Sequence, residues 1–246
     1  MKQQKMYESV TPLKIEEHKN LSVVKPSDFL FAKDLIAAPL TAVEFFKAVH
    51  EYVIVFAGTE QNLMPYVILG ASEKKNLYIR DDGSFTAEYI PAYIRRYPFV
   101  FSTSDGGKNL TLCVDLEYKG CSMDGDGKKL FEEDGSHSDY LKDVMKFMTS
   151  YQGQYIRTAE FCKRIAELEI LEPLTAQLKP EQGETVSLTG FYGVNREKMK
   201  NLSPEVLKEL ADGDGLELLY IHLLSMNNFN LLLEKIKNEQ VVTQSA

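Results

Sequence analysis

The sequence predicts an α+β fold, with an antiparallel sheet in the N-terminal half packed with a helix-rich C-terminal half, as one domain over residues 1–246. Three observations point there. Residues 1–120 carry β-branched and aromatic runs separated by turn residues. Around 121–138 the composition shifts to Gly, Asp, Lys and Ser, and from 138 to 236 apolar residues recur every three to four positions. The chain is 246 residues long, 44% hydrophobic and 26% charged, which suits an ordinary globular core. A disordered tail is expected over 238–246.

The first strand signal is Tyr52 to Gly58, an unbroken apolar run ending on glycine. Tyr66 to Gly70 and Asn76 to Arg80 follow, and Asp81-Asp82-Gly83 supplies hairpin-turn chemistry. Phe99 to Phe101 and Leu110 to Val114 flank a second turn, Ser104-Asp105-Gly106-Gly107, so a sheet of about five strands is expected. Leu141, Val144, Met148, Tyr151 and Tyr155 share a helical face that Phe161, Cys162, Ile165 and Leu168 continue. Gly153 predicts an interruption there, giving two helices or one bent helix over 139–171. Thr185 to Phe191 reads as a short strand. Ser203-Pro204-Glu205 marks a helix start, with Ser as N-cap and Pro in the first turn. The last long helix, about Leu216 to Ile236, carries two apolar stripes, so it is either central in the core or covered by a partner. A homodimer through this C-terminal helix stays open.

Charge and composition exclude several classes. Lys and Arg number 28 against 36 Asp and Glu, a net charge of −8, so no nucleic acid is expected as partner. The longest uncharged stretch, Leu218 to Leu233, is interrupted by His222, Asn227, Asn228 and Asn230, and it falls short of the about 20 apolar residues of a membrane span. No membrane insertion is expected. Cys113, Cys121 and Cys162 read as free thiols in a reducing compartment. Residues 1–9 lack the apolar run of a secretory leader, and the predicted address is cytoplasmic.

Two segments suggest chemistry. Glu88 to Phe99 reads as a short helix bounded by Pro91 and Pro98, with Tyr89, Tyr93 and Tyr97 recurring on one face. Arg95 and Arg96 are suited to clamp a carboxylate or phosphate bidentately. The plainer alternative is a tyrosine packing stripe with the arginines paired to surface acids. His137-Ser138-Asp139 has the spacing that, with His222, would build a two-histidine, one-carboxylate iron site. Chance predicts about 0.6 such pairs in this composition, and Ser136 to Asp139 equally resembles a helix capping box. His222 itself reads either as a hydrogen-bonded core residue or as a ligand contact. Asp124-Gly125-Asp126-Gly127 opens like a calcium loop, but Lys128, Lys129 and Gly135 stand where that loop needs a ligand, a glycine and a glutamate. No phosphate-binding glycine loop, nucleophile elbow, zinc-protease helix or C-x-x-C pair is present.

Pro39-Leu40 with Glu44, the Tyr52 to Gly58 run, the Tyr89 to Phe99 block, Leu130-Phe131 with Asp134-Gly135, Leu188 to Phe191 and His222 to Phe229 together resemble the bacterial SapC family. The resemblance runs from about Tyr7 to Leu233. The family name is tied to a surface-layer gene and shared with an unrelated permease, so transport does not follow from it. The resemblance implies a non-catalytic accessory or binding protein, supporting nutrient uptake or peptide modification near TonB-dependent receptors, halogenase-like proteins and cupin-like oxygenases. It implies no cofactor and no catalytic residues. The expectation is therefore a protein partner or a small acidic ligand met by Tyr89, Tyr93, Arg95, Arg96, Tyr97 and His222. The competing expectation is a non-haem iron oxygenase using His137, Asp139 and His222.

Overall fold

The structure, a computed structural model, describes residues 6–71, 75–104, 109–179 and 185–244. In chain order the strands are β1 (Val10–Pro12), β2 (Ser22–Val23), β3 (Ala37–Pro39), β4 (Ile54–Ala57), β5 (Met64–Ile68), β6 (Phe99–Ser104), β7 (Asn109–Asp115), β8 (Cys121–Ser122), β9 (Lys128–Lys129), β10 (Leu171–Leu178) and β11 (Val186–Val194). The helices are α1 (Ile15–His18), α2 (Phe45–Ala48), α3 (Ala92–Arg95), α4 (Asp139–Glu167), α5 (Arg196–Lys200), α6 (Pro204–Asp212), α7 (Gly215–Ser225) and α8 (Phe229–Gln244).

The main sheet is antiparallel and has the order β10-β11-β4-β5-β3. Every residue of β4 is buried, because the two faces of the strand serve two cores. Ile54 and Phe56 pack with Cys162 and Ile165 of α4 and with Leu218, Leu219 and Ile221 of α7. Val55 and Ala57 pack with Leu178, Phe191, Leu232 and Ile236. A strand apolar on both faces reads as a continuous run instead of an alternation, which is the pattern of Tyr52 to Ala57. A separate three-stranded sheet, β1-β7-β6, and the small β8-β2-β9 ladder cover the first half of α4 through Leu21, Val23, Phe99, Val114, Leu130, Leu141 and Met148.

The α+β class holds, but the sheets are divided differently from the expectation. The β6–β7 pair does not extend the β4–β5 sheet; it pairs with β1, three residues too short to register as a run. Its turn from Asp105 lies outside the described residues. Asn76 to Arg80 is not a strand, because the Asn76 side chain donates to Ala32 O (3.2 Å) and accepts from Tyr78 N (3.0 Å), which coils the segment. Only the Ile79–Phe85 bridge forms there, over the expected Asp81-Asp82-Gly83 turn, where Gly83 takes φ +81°. β10 was not predicted: Pro173 weakens its signal, and the proline is tolerated because β10 is the sheet edge. The C-terminal half thus contributes a hairpin to the main sheet.

α4 is one helix of 29 residues, with Ser138 as N-cap accepting from Leu141 N. The helix runs through Gly153 without a break, and since a Cβ there would meet nothing within 4 Å, packing does not require a glycine at this position. α6 begins as read, with the Ser203 hydroxyl accepting from Val206 N. The predicted last helix is instead α7 and α8 joined by a 3-10 turn at Met226–Asn228. The Asn228 amide there donates to Val49 O (2.6 Å) and Tyr52 O (2.7 Å). Its two apolar stripes are taken up inside the chain by the two cores, leaving Tyr220, Leu224 and Leu231 exposed. α8 continues to Gln244, through residues assigned above to a disordered tail. No helix among the described residues is long and apolar enough to cross a membrane.

Candidate functional site

α3 is a single turn, and Glu44 holds it from a distance. Glu44 closes a capping box with Thr41, accepting from its N–H (2.8 Å) and hydroxyl (2.7 Å). Its other oxygen accepts from Tyr89 OH (2.6 Å) and from Ala92 N (2.7 Å), the first N–H of α3. A buried carboxylate with four donors is fully satisfied, and it ties α2 to α3. Pro91 sits at the N-cap of α3, one residue earlier than a first-turn proline.

One helical turn is too short to line up three tyrosines, and each meets different surroundings. Tyr89 bonds Glu44. Tyr93 is buried beneath the Arg96 guanidinium, 4.3 Å from its ring centre. Tyr97 stacks on Phe31, with centroids 4.0 Å apart and planes 12° off parallel. The arginines also part ways. Arg95 is exposed; its Nε donates to Ile90 O (2.8 Å), and its guanidinium lies over Phe147 (5.4 Å) and Tyr89 (5.8 Å).

Arg96 is half-buried among Tyr7, Tyr93 and Tyr151, at 5.7, 4.3 and 5.3 Å. Burial pushes the Tyr7 and Tyr151 phenols above their ordinary range, with Arg96 pulling the other way, so neither supplies a phenolate at neutral pH. Among the described residues no carboxylate lies within ion-pair distance of Arg96, and its Nε is buried without a hydrogen-bond partner.

Arg95, Arg96 and Tyr97 line a pocket of about 470 Å³ between the 25–31 segment, α3 and the first turns of α4. Lys25 and Lys128 add two more cations, and Asp143 is the one acid in the lining. Phe29 and Phe31 stand on one side with Tyr97; Phe99, Tyr140 and Phe147 stand towards α4. Of the six residues singled out in the sequence, Arg95, Arg96 and Tyr97 line this pocket and Tyr89, Tyr93 and His222 do not; the lysines and the other rings of the lining were not singled out. The available signal was on α4, where Tyr140 and Phe147 widen the apolar arc beside the stripe of Leu141, Val144 and Met148.

His222 does not belong to this pocket. It is 0% exposed, its Nδ1–H donates to Ile54 O (2.8 Å), and its Nε2 accepts from Val194 N (3.0 Å). Both ring nitrogens are occupied, so the imidazole has no lone pair left for a metal or ligand. Burial pushes its pKa down to about 4, against the opposing pull of the Ile54 bond. His137 is exposed on a bridge with Phe131, and Asp139 is exposed and paired with Lys142 (2.9 Å). No group of three or more His, Cys, Asp or Glu among the described residues is placed to hold a metal. The iron-site expectation is overturned by this geometry. Burial raises the Cys121 thiol to about 11 and the Cys162 thiol to about 12, so both stay protonated at neutral pH.

The family model of SapC matches residues 13–232 of the chain. No curated protein and no solved structure matches it.

Proposed function

The chain belongs to the SapC family, and from that premise we propose that it is a non-catalytic binding protein whose ligand is a small acid, held at Arg95 and Arg96 in the pocket between α3 and α4. Arg96 is the observation that carries this reading. A half-buried guanidinium with no carboxylate partner and an unpaired Nε is costly, and an incoming anion supplies the missing countercharge. Arg95, exposed beside it, gives a second fork. Three groups suited to catalysis by type are withdrawn from it: His222 is locked in the core, and the Cys121 and Cys162 thiols are held protonated. A binding role suits the accessory function, in nutrient uptake or peptide modification, that the resemblance implies.

Each charge-assisted hydrogen bond is worth about 1.5–3 kcal/mol, so Arg95→Ala combined with Arg96→Ala is expected to weaken anion binding at least roughly 100-fold. The check is titration calorimetry with inorganic phosphate, beside circular dichroism to show that the fold is kept. A folded double variant that binds as well as the parent would sink the reading. A pull-down from the native host, compared between parent and double variant, tests whether the acid belongs to a protein partner.

A further inference from the structure

Resting on the anion-binding reading above, we infer that the ligand joins a flat aromatic ring to a dianionic head group, as an aryl phosphate does. Two independent features of the pocket lead there. The first is charge. Lys25, Arg95, Arg96 and Lys128 face a single acid, Asp143, in a chain whose net charge is −8. Three positive charges are left over in the lining, and a monocarboxylate neutralises only one of them. A dianion matches the excess more closely, and the concave site raises its local concentration.

The second feature is the walls. Phe31 stacked on Tyr97, with Phe29 at 6.0 Å from Phe31, makes an aromatic wall on one side. Towards α4, Phe99 and Tyr140 meet edge to face at 6.4 Å and 65°. Phe147 there lies under Arg95, and Tyr140 lies under Lys128 at 5.4 Å. Cations therefore sit directly on the rings of this wall, so a ligand ring packing beside them brings its own anionic substituent within reach. A ring gains stacked and edge contacts that an alkyl chain of equal area does not. The volume, about 470 Å³, lies in the ordinary range for small-molecule sites and is far larger than an inorganic anion needs.

The test is calorimetric titration of the full chain with phenyl phosphate, inorganic phosphate and benzoate at one fixed salt concentration. Phenyl phosphate is expected to bind roughly tenfold or more tightly than either of the others. Phe147→Leu, which keeps an apolar side chain in place, is expected to cut the preference for phenyl phosphate over inorganic phosphate from about tenfold to about twofold or less, the ratio being read because the ring also lies under Arg95. Lys25→Ala with Lys128→Ala is expected to weaken both phosphates by a larger factor than it weakens benzoate, because the attraction lost scales with the charge of the ligand. Equal binding of phenyl and inorganic phosphate overturns the aromatic half, and benzoate binding as tightly as phenyl phosphate overturns the dianion half. In either case the anion site itself stands. Binding of none of the three overturns this inference and the anion reading together.

Discussion

Alanine at position 222 is expected to lower the unfolding free energy by about 4 kcal/mol in denaturant titrations at neutral pH. His222 fastens the middle of the main sheet. β4 and β11 share a single register pair, Tyr192 with Phe56, and the imidazole spans the gap beside it from Ile54 O to Val194 N. Ser225, one turn along α7, accepts from Ile54 N (3.0 Å), so α7 satisfies both backbone groups of Ile54. Removing the ring leaves Val194 N unpaired and Ile54 O with only the long 3.5 Å contact of the Ser225 hydroxyl, and it opens a hole against Phe56, whose ring centre is 5.1 Å away. Leu224→Ala, at a position 58% exposed on the same helix, is the control and should stay within about 0.5 kcal/mol of the parent. A loss below about 1 kcal/mol for His222→Ala would refute the fastening role.

The same ring sets a pH dependence. Its pKa is about 4 in the fold against 6.5 ordinarily, so between those values the unfolded chain binds a proton that the folded chain does not. The stability it contributes is complete above pH 6.5, falls as the pH drops through the window, and levels off below about 4. The full span is on the order of 3 kcal/mol. The stability difference between the parent and His222→Gln, followed from pH 7 to pH 4, isolates it; a flat difference would show that the histidine is not held neutral.

Glu44→Ala should cost a comparable amount, about 4 kcal/mol, and should loosen α3 as well. Four donors converge on this carboxylate, and alanine orphans the N–H groups of Thr41 and Ala92 together with the Tyr89 hydroxyl. Glu44→Gln is the sharper test. One oxygen serves Ala92 N and the other serves Thr41 N, so whichever position the amide nitrogen takes, one backbone donor faces another donor. A loss of about 2 kcal/mol is expected for Gln, with faster hydrogen exchange at Ala92. Because α3 ends on Arg95 with Arg96 as its C-cap, anion affinity should fall too, although Glu44 is absent from the pocket lining. Glutamine behaving like glutamate in both measurements would show that the four-donor cluster does not position the helix.

Local patterns in the sequence are enough to find β4, β5, the β6–β7 pair, α4 and the Ser203 cap, because each is encoded by neighbours within one or two turns of chain. Partners distant in sequence are what local reading misses. β1 and β10 carry weak signals of their own and form because β7 and β11 offer ladders. The pocket divides in the same way. Arg95, Arg96 and Tyr97 lie in one conspicuous segment, whereas Lys25, Lys128 and Phe147 join them only through tertiary packing. His222 carries both a core and a ligand reading in the sequence, and only burial with both ring nitrogens paired selects the core one. Glu44 stood among the residues carrying the family resemblance, but its four-donor role shows only once α2 and α3 are brought together.

The strand order also sets a timetable for synthesis. β4 leaves the ribosome roughly 130 residues before β11, its neighbour on one side, and translation at about 5–20 residues per second makes that a wait of about 6–26 s. Through that interval the nascent chain holds an all-apolar strand with one edge unpaired, and α7, which brings the histidine that closes the gap, is translated after β11. A polypeptide released before residue 186 would keep that open edge permanently, the kind of surface that recruits chaperones and seeds aggregation. The second half of the gene product is thus the part that makes the first half safe.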